Sequence, residues 1–200
     1  MIPAIVLAAG CSTRMGRSKA MLSLDGGDTF LTRIVRTFLA AGIDDVVIVL
    51  GHEADQVAAT FERSGLPARV VLNTEYASGQ LSSVIAGLSV VDRPGVAATM
   101  LTLVDVPVVG AATVRAVVDR YRETRALIVR PTSGHRHGHP VLIDRTLFDP
   151  LRRADPAHGI KPIVRAYASA AGDVQVDDAG AFLDVDTPAE YAALIAASNS

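Results

Sequence analysis

A loop rich in glycine and basic residues follows the first apolar run of the chain. The run covers residues 2–7, and residues 7–19 read Leu-Ala-Ala-Gly-Cys-Ser-Thr-Arg-Met-Gly-Arg-Ser-Lys. Gly10 and Gly16 let the backbone approach an anion without an intervening Cβ. The basic residues of the loop are Arg14, Arg17 and Lys19. The pattern predicts a buried strand followed by a loop that binds the polyphosphate of a nucleoside triphosphate.

The glycine spacing excludes two better known phosphate loops. A Walker A loop has the form Gly-x-x-x-x-Gly-Lys-Ser/Thr, whereas five residues separate Gly10 from Gly16 here and Arg17 follows. The dinucleotide fingerprint Gly-x-Gly-x-x-Gly is missing from the first strand-to-helix turn. The sequence therefore supports neither a P-loop ATPase nor a Rossmann dehydrogenase. An ordinary loop with solvated cations is the alternative.

Aspartates follow two apolar runs farther along the chain. Asp105 ends the strongest run, residues 98–104, and Pro107 stiffens the turn after it. Asp184 and Asp186 end a second run and point the same way if that segment is an extended strand. Carboxylates are suited to Mg²⁺, which bridges phosphate oxygens. Helix capping or simple exposure in a turn is the alternative for each of them.

Strands and helices are expected to alternate over the first two thirds of the chain. The predicted strands lie at about residues 2–7, 46–50, 69–72, 98–104 and 126–129. The predicted helices lie at about residues 29–41, 54–63, 81–90 and 112–123. This alternation predicts an α/β fold with a mostly parallel sheet covered by helices on both sides. Ligands then gather at the carboxyl ends of the strands.

The pattern is less regular after residue 130. A turn is expected at residues 131–138, and short strands are expected at 140–143, 174–176 and 182–185. Helices are expected from Asp144 to about residue 152, at 163–170 and at 188–197. Thr187, Pro188 and Glu190 have the spacing of a capping box that starts the last helix. Because no linker or repeat is found, one domain is expected over residues 1–200.

Composition limits the functional classes. The 200 residues are 50% hydrophobic and carry a net charge of −2, which argues against a nucleic-acid or anionic membrane surface. Cys11 is the one cysteine, so no internal disulfide can form, and no base that would activate it is identifiable. No basic leader precedes the first strand, and no apolar run approaches the roughly 20 residues of a membrane span. A cytoplasmic protein is expected.

Three histidines alternate at positions 135, 137 and 139. A strand with this spacing would direct them to one face as metal ligands. The neighbouring Ser133, Gly134 and Gly138 favour a mobile turn instead. His139 has the stronger case for a functional contact.

The loop at residues 7–19 resembles the signature loop of the MobA-like nucleotidyltransferases, and most of all their molybdenum cofactor cytidylyltransferase branch. Four further segments resemble family motifs in the same order. They are residues 73–83 (nucleotide contacts), 103–107 (metal), 138–142 (acceptor) and 184–188 (metal). The resemblance covers essentially the whole chain. It implies a Rossmann-like three-layer α/β/α sandwich with a mostly parallel sheet, like that of the nucleotide-diphospho-sugar transferases.

The resemblance also implies transfer of a nucleoside monophosphate from an NTP to a phosphorylated acceptor, with Mg²⁺ as cofactor and release of pyrophosphate. The implied catalytic residues are Lys19, Arg14 and Asp105. The implied metal ligands are Asp105 and Asp186, and the implied acceptor contacts are His139 and Lys161. The implied nucleotide contacts are Leu7, Ala8, Ala9, Gly10, Ser12, Arg14, Gly16, Lys19, Asn73, Gly79, Ser82 and Ser83.

Ala9, where a second glycine would stand in other branches, resembles the cytidylyl branch. CTP is therefore the expected donor, and molybdopterin or its molybdenum-loaded form is the expected acceptor. The resemblance further implies contact with a molybdoenzyme or its chaperone, but none with nucleic acid or membrane. Gln80 and Lys161 depart from the family pattern. Two alternatives stay open: transfer from GTP or another NTP to a sugar or polyol phosphate, and a non-catalytic nucleotide-binding module.

Overall fold

A mostly parallel sheet forms the centre of the computed structural model, which describes residues 1–198 and only the backbone of Asp25 and Ser198. Within those residues the sheet has eight strands in the order β3-β2-β1-β4-β7-β5-β6, with β8 paired to β5. The strands are β1 (Ala4–Ala8), β2 (Val46–Leu50), β3 (Arg69–Leu72), β4 (Ala98–Leu103), β5 (Ile128–Ser133), β6 (Arg136–His137), β7 (Val141–Asp144) and β8 (Asp173–Gln175). Strands β1 to β4 are mutually parallel, and β7 is antiparallel to β4.

Strand β1 lies at the point where the chain changes direction across the sheet. Strands β2 and β3 lie on one side of β1, and β4 lies on the other. The register pairs Ala8 of β1 with Leu50 and Leu7 with Leu103. The carboxyl ends of these parallel strands therefore open at one edge of the sheet, where open α/β sheets bind ligands.

Helices cover both faces of the sheet. They are α1 (Phe30–Ala40), α2 (Ala54–Glu62), α3 (Gln80–Val91), α4 (Ala111–Thr124), α5 (Phe148–Arg152), α6 (Lys161–Tyr167) and α7 (Pro188–Ser198). Helix α1 begins after Thr29, whose side chain accepts a hydrogen bond of 3.2 Å from the N–H of Thr32. Its buried residues include Ile34, Val35 and Phe38, which share one face as the helical period requires.

Alternate residues of β1 enter two separate hydrophobic cores. Ala4 and Val6 pack with side chains of α1, α2 and α4 on one face. Ile5 and Leu7 pack with side chains of α3 and α5 on the other. Burial on both faces explains the continuous apolar runs of the parallel strands. The predicted Rossmann-like three-layer α/β/α sandwich is therefore confirmed.

The predicted strand at residues 182–185 is wrong. A 3-10 turn occupies Ala179–Phe182, and the chain then runs without regular structure to α7. The carboxylate of Asp178 starts this turn because it accepts hydrogen bonds from the N–H groups of Gly180 (3.0 Å) and Gly110 (2.8 Å). Such side-chain bonds to the backbone compete with strand pairing. The N–H of Val185 donates to the carbonyl of Asp105, just after β4, at 2.8 Å.

In the second half of the chain, the segment at residues 131–138 differs from its prediction, whereas the start of α7 agrees with it. The expected turn at residues 131–138 is instead a hairpin, in which β5 extends to Ser133 and pairs with β6. The predicted capping box of α7 is confirmed, since the carboxylate of Glu190 accepts from the N–H of Thr187 at 2.8 Å. Within residues 1–198, no helix has the length and apolar character needed to cross a membrane.

Candidate active site

A cleft of about 370 Å³ opens at the carboxyl ends of β1 and β4. The loop after β1, the start of α3, the end of β4 and the segment before α7 all contribute to it. Its walls are formed by Leu7, Ala8, Ala9, Gly10, Ser12, Thr13, Arg14, Ser18, Lys19, Ala20, Tyr76, Gly79, Gln80, Ser83, Leu103, Val104, Asp105 and Asp186. The glycine-rich loop and both predicted metal carboxylates therefore share one cavity.

The loop after β1 doubles back on itself before it reaches Lys19. Ser12 has a left-handed backbone (φ 48°), a short 3-10 turn covers Thr13–Met15, and Gly16 is again left-handed (φ 67°). A non-glycine residue in this region is strained, and such strain is concentrated at functional sites. The hydroxyl of Ser12 accepts a hydrogen bond of 3.1 Å from the N–H of Lys19. This bond closes the loop and brings the Lys19 side chain into the cleft.

The first residues of this loop have unused backbone donors, and two of them, Gly10 and Ser12, line the cleft. Within residues 1–198, no described hydrogen bond is donated by the N–H of Gly10, Cys11 or Ser12. A Cβ added to Gly10 would meet no protein atom within 4 Å. Packing in the protein therefore does not require glycine at position 10, whereas close approach of a ligand would. Consecutive free N–H groups of this kind bind anions.

A compact cluster of four charges lies in the cleft. The ammonium of Lys19, with only 10% of its side chain exposed, is 3.2 Å from Oδ2 of Asp105 and also bonds to Oδ1 of Asp186. Arg14 contacts the other oxygen of Asp186 at 2.9 Å. The hydrogen bond from Lys19 and that from Arg14 hold the pKa of Asp186 below its usual range. Two basic side chains and two acidic side chains are therefore in direct contact in the cleft.

The carboxylates fit a divalent cation. Oδ1 of Asp105 is buried and has no hydrogen-bond partner in the described part of the chain, and an orphaned carboxylate oxygen is costly unless it binds a cation. No group of three or more His, Cys, Asp or Glu side chains within residues 1–198 is arranged to hold a metal. Asp105 and Asp186 would thus share the metal with oxygens of a substrate, as Mg²⁺ sites commonly do.

Asp184 is distinguished from Asp186 by its position. It does not line the cleft. Burial raises the pKa of Asp184, and the negative charge of Asp105 acts in the same direction. The second carboxylate of the cleft is therefore Asp186.

The segment that precedes α3 only partly lines the cleft. Asn73 is buried, and its amide nitrogen donates to the hydroxyls of Ser82 (2.9 Å) and Ser83 (3.0 Å). Its oxygen accepts from the N–H of Glu75 at 2.9 Å. Gly79 and Ser83 line the cleft, whereas Asn73, Ser82 and Gly16 do not. The contact of these three residues with a nucleotide stays a prediction.

Sequence reasoning missed the aromatic part of the wall. Tyr76 lines the cleft, and its ring centroid is 6.1 Å from that of His52. A Cβ on Gly51 would lie 2.6 Å from Cβ of Tyr76 and 2.9 Å from Cβ of Ala9. A glycine directly after β2 was therefore the available signal that a bulky side chain from another loop packs there. Gln80 was noted only as a departure from a pattern, yet it lies in the wall.

The predicted acceptor contacts lie outside the cleft lining. His139 is half-buried, and burial lowers the pKa of its imidazole despite the nearby carbonyl of Leu101 and the charge of Asp184. Lys161 is exposed at the start of α6. Arg17 is not a third cation of the cleft, because its guanidinium lies 5.6 Å from the ring centre of Tyr191 in α7.

A known protein family matches most of this chain. The family described as "MobA-like NTP transferase domain" matches residues 4–172. That stretch contains the loop after β1 and Asp105 but ends before Asp186.

Three curated proteins show the range of relatives. "Nicotine blue oxidoreductase" of Paenarthrobacter nicotinovorans is 33% identical over 152 residues, which cover 73% of this chain and 72% of that protein. "Molybdenum cofactor cytidylyltransferase" of Escherichia coli (strain K12) is 26% identical over 198 residues, 95% of this chain and 93% of that protein. "Bifunctional IPC transferase and DIPP synthase" of Rubrobacter xylanophilus is 41% identical over 91 residues, and the match spans only 21% of its length.

A solved structure is similar over nearly the whole chain. Rv0371c of Mycobacterium tuberculosis H37Rv has 30% sequence identity and a TM-score of 0.78, with 98% of each chain covered. A second structure of Rv0371c, with 30% identity and a TM-score of 0.73, is a complex with manganese.

Proposed function

The chain belongs to the family of MobA-like NTP transferase domains, and from this membership we propose that it transfers CMP from CTP to molybdopterin or its molybdenum-loaded form and releases pyrophosphate. The observation that carries the proposal is the cluster of Lys19, Arg14, Asp105 and Asp186 in a cleft that also has free backbone donors. Triphosphate needs the cations and the N–H groups, whereas a metal that bridges phosphates needs the carboxylates.

The protein residues act by positioning and charge. The acceptor phosphate oxygen attacks the α-phosphorus in line, a new P–O bond forms, and the bond to the β-phosphate oxygen breaks. Negative charge grows on the departing pyrophosphate, and Lys19 and Arg14 are the cations that offset it. Such a transfer needs no protein nucleophile, so the exposed Cys11 takes no part.

A divalent metal, with Mg²⁺ proposed, would be held by Asp105 and Asp186 and would add positive charge beside the α-phosphate and the pyrophosphate. The unpartnered Oδ1 of Asp105 supports this role. Lys19 already contacts both carboxylates. A triphosphate that enters the cleft would therefore meet its cation and its metal ligands at one place.

The preference for cytosine is proposed from two residues of the wall. The hydroxyl of Ser83 accepts a hydrogen bond from Asn73, which leaves its own hydrogen to be donated to a base. The methyl group of Ala9 is buried against Tyr76, and it narrows the cleft relative to a glycine. A smaller pyrimidine suits such a wall better than a purine.

The relative named as an oxidoreductase gives a competing class of activity. The loop after β1 has no Gly-x-Gly-x-x-Gly fingerprint for a dinucleotide. A redox transfer also would not require the pair of carboxylates in the cleft. A non-catalytic nucleotide module would likewise need only the cations. Both are nevertheless outcomes that an assay must separate from nucleotidyl transfer.

The test is pyrophosphate release by the full chain with Mg²⁺ and each of CTP, GTP, ATP and UTP, with and without molybdopterin. We expect release that requires both CTP and the acceptor, and a loss of roughly 100-fold or more in Asp105→Asn. Release with a sugar or polyol phosphate instead would replace the acceptor. Nucleotide binding without release from any pair would overturn catalysis, and oxidation of a reduced nicotinamide by the protein would favour the oxidoreductase class.

A further inference from the structure

One half of the carboxylate pair is presented by a segment that lies beyond the family match. The match ends at residue 172, whereas Asp186 lies just before α7. We infer that Glu190 is a positioning residue that fixes Asp186 at the cleft. The inference rests on the proposed function, because it concerns how a ligand of the proposed metal is held.

The segment that carries Asp186 receives little support from the sheet. It has no strand structure between the 3-10 turn at Ala179–Phe182 and α7. The N–H of Val185 donates to the carbonyl of Asp105 at 2.8 Å, and the fully buried side chain of Val185 packs with Phe30. These contacts fix the residue before Asp186 but leave the next peptide groups to other partners.

Glu190 supplies those partners from the first turn of α7. One of its carboxylate oxygens, Oε2, accepts hydrogen bonds of 2.8 Å from the N–H of Asp186 and of 2.8 Å from the N–H of Thr187. In return, the hydroxyl of Thr187 accepts from the N–H of Glu190 at 3.3 Å. A capping box alone requires the bond to Thr187, so the second bond is an extra constraint on Asp186.

Helix α7 is itself fixed to the chain that follows the glycine-rich loop. Leu194 packs with Leu22 in a smaller hydrophobic cluster, separate from the two cores beside the sheet, which also contains Phe30 and Val185. The hydroxyl of Tyr191 donates to the carbonyl of Ser23 at 2.9 Å, and Arg17 lies over its ring. Glu190 therefore stands on a helix whose position is set by the same loop that carries Lys19.

The two constraints bracket the metal ligand. Val185 is held by the carbonyl of Asp105, and Glu190 holds the N–H groups of the peptides on both sides of Asp186. The carboxylate of Asp186 then meets Lys19 and Arg14. Glu190 does not line the cleft, so it would act on a bound cation only through Asp186.

The experiment measures Mn²⁺ binding to the full chain by the EPR signal of free Mn²⁺, in the presence of a non-hydrolysable CTP analogue. Glu190→Ala should raise the Mn²⁺ dissociation constant roughly 10-fold or more, the usual effect of losing a group that orients a metal ligand. Glu190→Gln should stay close to wild type, because an amide oxygen still accepts from both N–H groups. Asp186→Asn should also raise the Mn²⁺ dissociation constant, because it weakens the metal ligand itself, and it shows the size of that loss.

A matched control separates positioning from general stability. Thr32→Val removes the capping hydroxyl at the start of α1, outside the cleft, and should lower the melting temperature without changing Mn²⁺ affinity. If Glu190→Ala does not fold, Glu190→Asp decides the question, because its shorter side chain cannot reach Asp186. Wild-type affinity in the folded variant would overturn the role of Glu190 alone. No Mn²⁺ binding by wild type with the nucleotide analogue would overturn the proposed function as well.

Discussion

Replacement of Lys19 by methionine should change metal binding and nucleotide binding in opposite directions. The Lys19 ammonium is 3.2 Å from Asp105 and bonds to Asp186, and its side chain is 10% exposed. Together with Arg14 these residues form a group with no net charge. Methionine keeps an unbranched side chain but removes one positive charge, so the group becomes negative. A cation should then bind more readily, and a triphosphate less readily.

The size of the change follows from the distances and the exposure. Two unit charges about 4 Å apart interact by about 4 kcal/mol at an effective dielectric constant near 20. Asp105 and Asp186 are 22% and 33% exposed, so solvent screens part of this interaction. We therefore expect a change of about 1.4–2.8 kcal/mol, which is roughly 10- to 100-fold in a dissociation constant. Mn²⁺ without nucleotide should bind more tightly by this factor, and CTP more weakly.

The assay is titration of Mn²⁺ followed by EPR, together with calorimetry of CTP binding, on wild type and Lys19→Met. Arg122→Met is the control, because it removes an exposed cation of α4 that pairs with Asp119 and does not line the cleft, and it should alter neither constant. Weaker binding of Mn²⁺ to Lys19→Met than to wild type, measured without nucleotide, would refute the reasoning. Lys19 would then not compete with a metal for the carboxylates.

Three further substitutions test other parts of the account. Gly10→Ala should change the free energy of unfolding by less than about 0.5 kcal/mol, since the new Cβ meets no protein atom within 4 Å, yet reduce thermal protection by CTP. Gly87→Ala should destabilise the fold by about 1–3 kcal/mol, because its Cβ would lie 2.7 Å from Cγ2 of Ile5, but it should leave thermal protection by CTP unchanged. Urea unfolding measures the stability of both variants, and thermal shift measures their protection by CTP. A hydrogen bond from Arg152 and a further one from Arg145 hold the pKa of Asp92 below its ordinary value of 3.8. Asp92 therefore stabilises the fold above that pH and loses its contribution as the pH falls below it. Asp92→Asn should lower stability at pH 7 and flatten the acid limb of the urea-midpoint profile, and an unchanged acid limb would contradict this.

The parallel half of the fold could be predicted from the sequence because three of its strands, β1, β2 and β4, are buried on both faces. The bounds predicted for β2 (residues 46–50) and for the largely exposed edge strand β3 (residues 69–72) agree with the structure. The run at residues 182–185 has similar composition but forms no strand. The carboxylate of Asp178, just before this run, accepts hydrogen bonds from Gly180, two residues away, and from Gly110, which is distant in sequence. Local periodicity contains no information about the bond from Gly110.

The site could be predicted to the level of loops, and only partly to that of side chains. The rule that ligands bind at strand ends brought Lys19 and Asp105 to one cleft. Asp186 lines the same cleft although no strand precedes it. The rule does not tell which side chains of a loop face that cleft. Arg17 lies over Tyr191, and Asn73 donates to the hydroxyls of Ser82 and Ser83. Both outcomes depend on partners that are distant in sequence.

The most direct test of the central claim is a crystal structure with Mn²⁺ and a non-hydrolysable CTP analogue. We expect an anomalous peak for Mn²⁺ coordinated by Asp105, through the oxygen that lacks a protein partner, and by Asp186. The triphosphate should lie against the N–H groups of Gly10 to Ser12, within reach of Lys19. A metal bound elsewhere, or a nucleotide whose phosphates lie outside the loop after β1, would contradict the assignment of this cleft to metal-assisted nucleotidyl transfer.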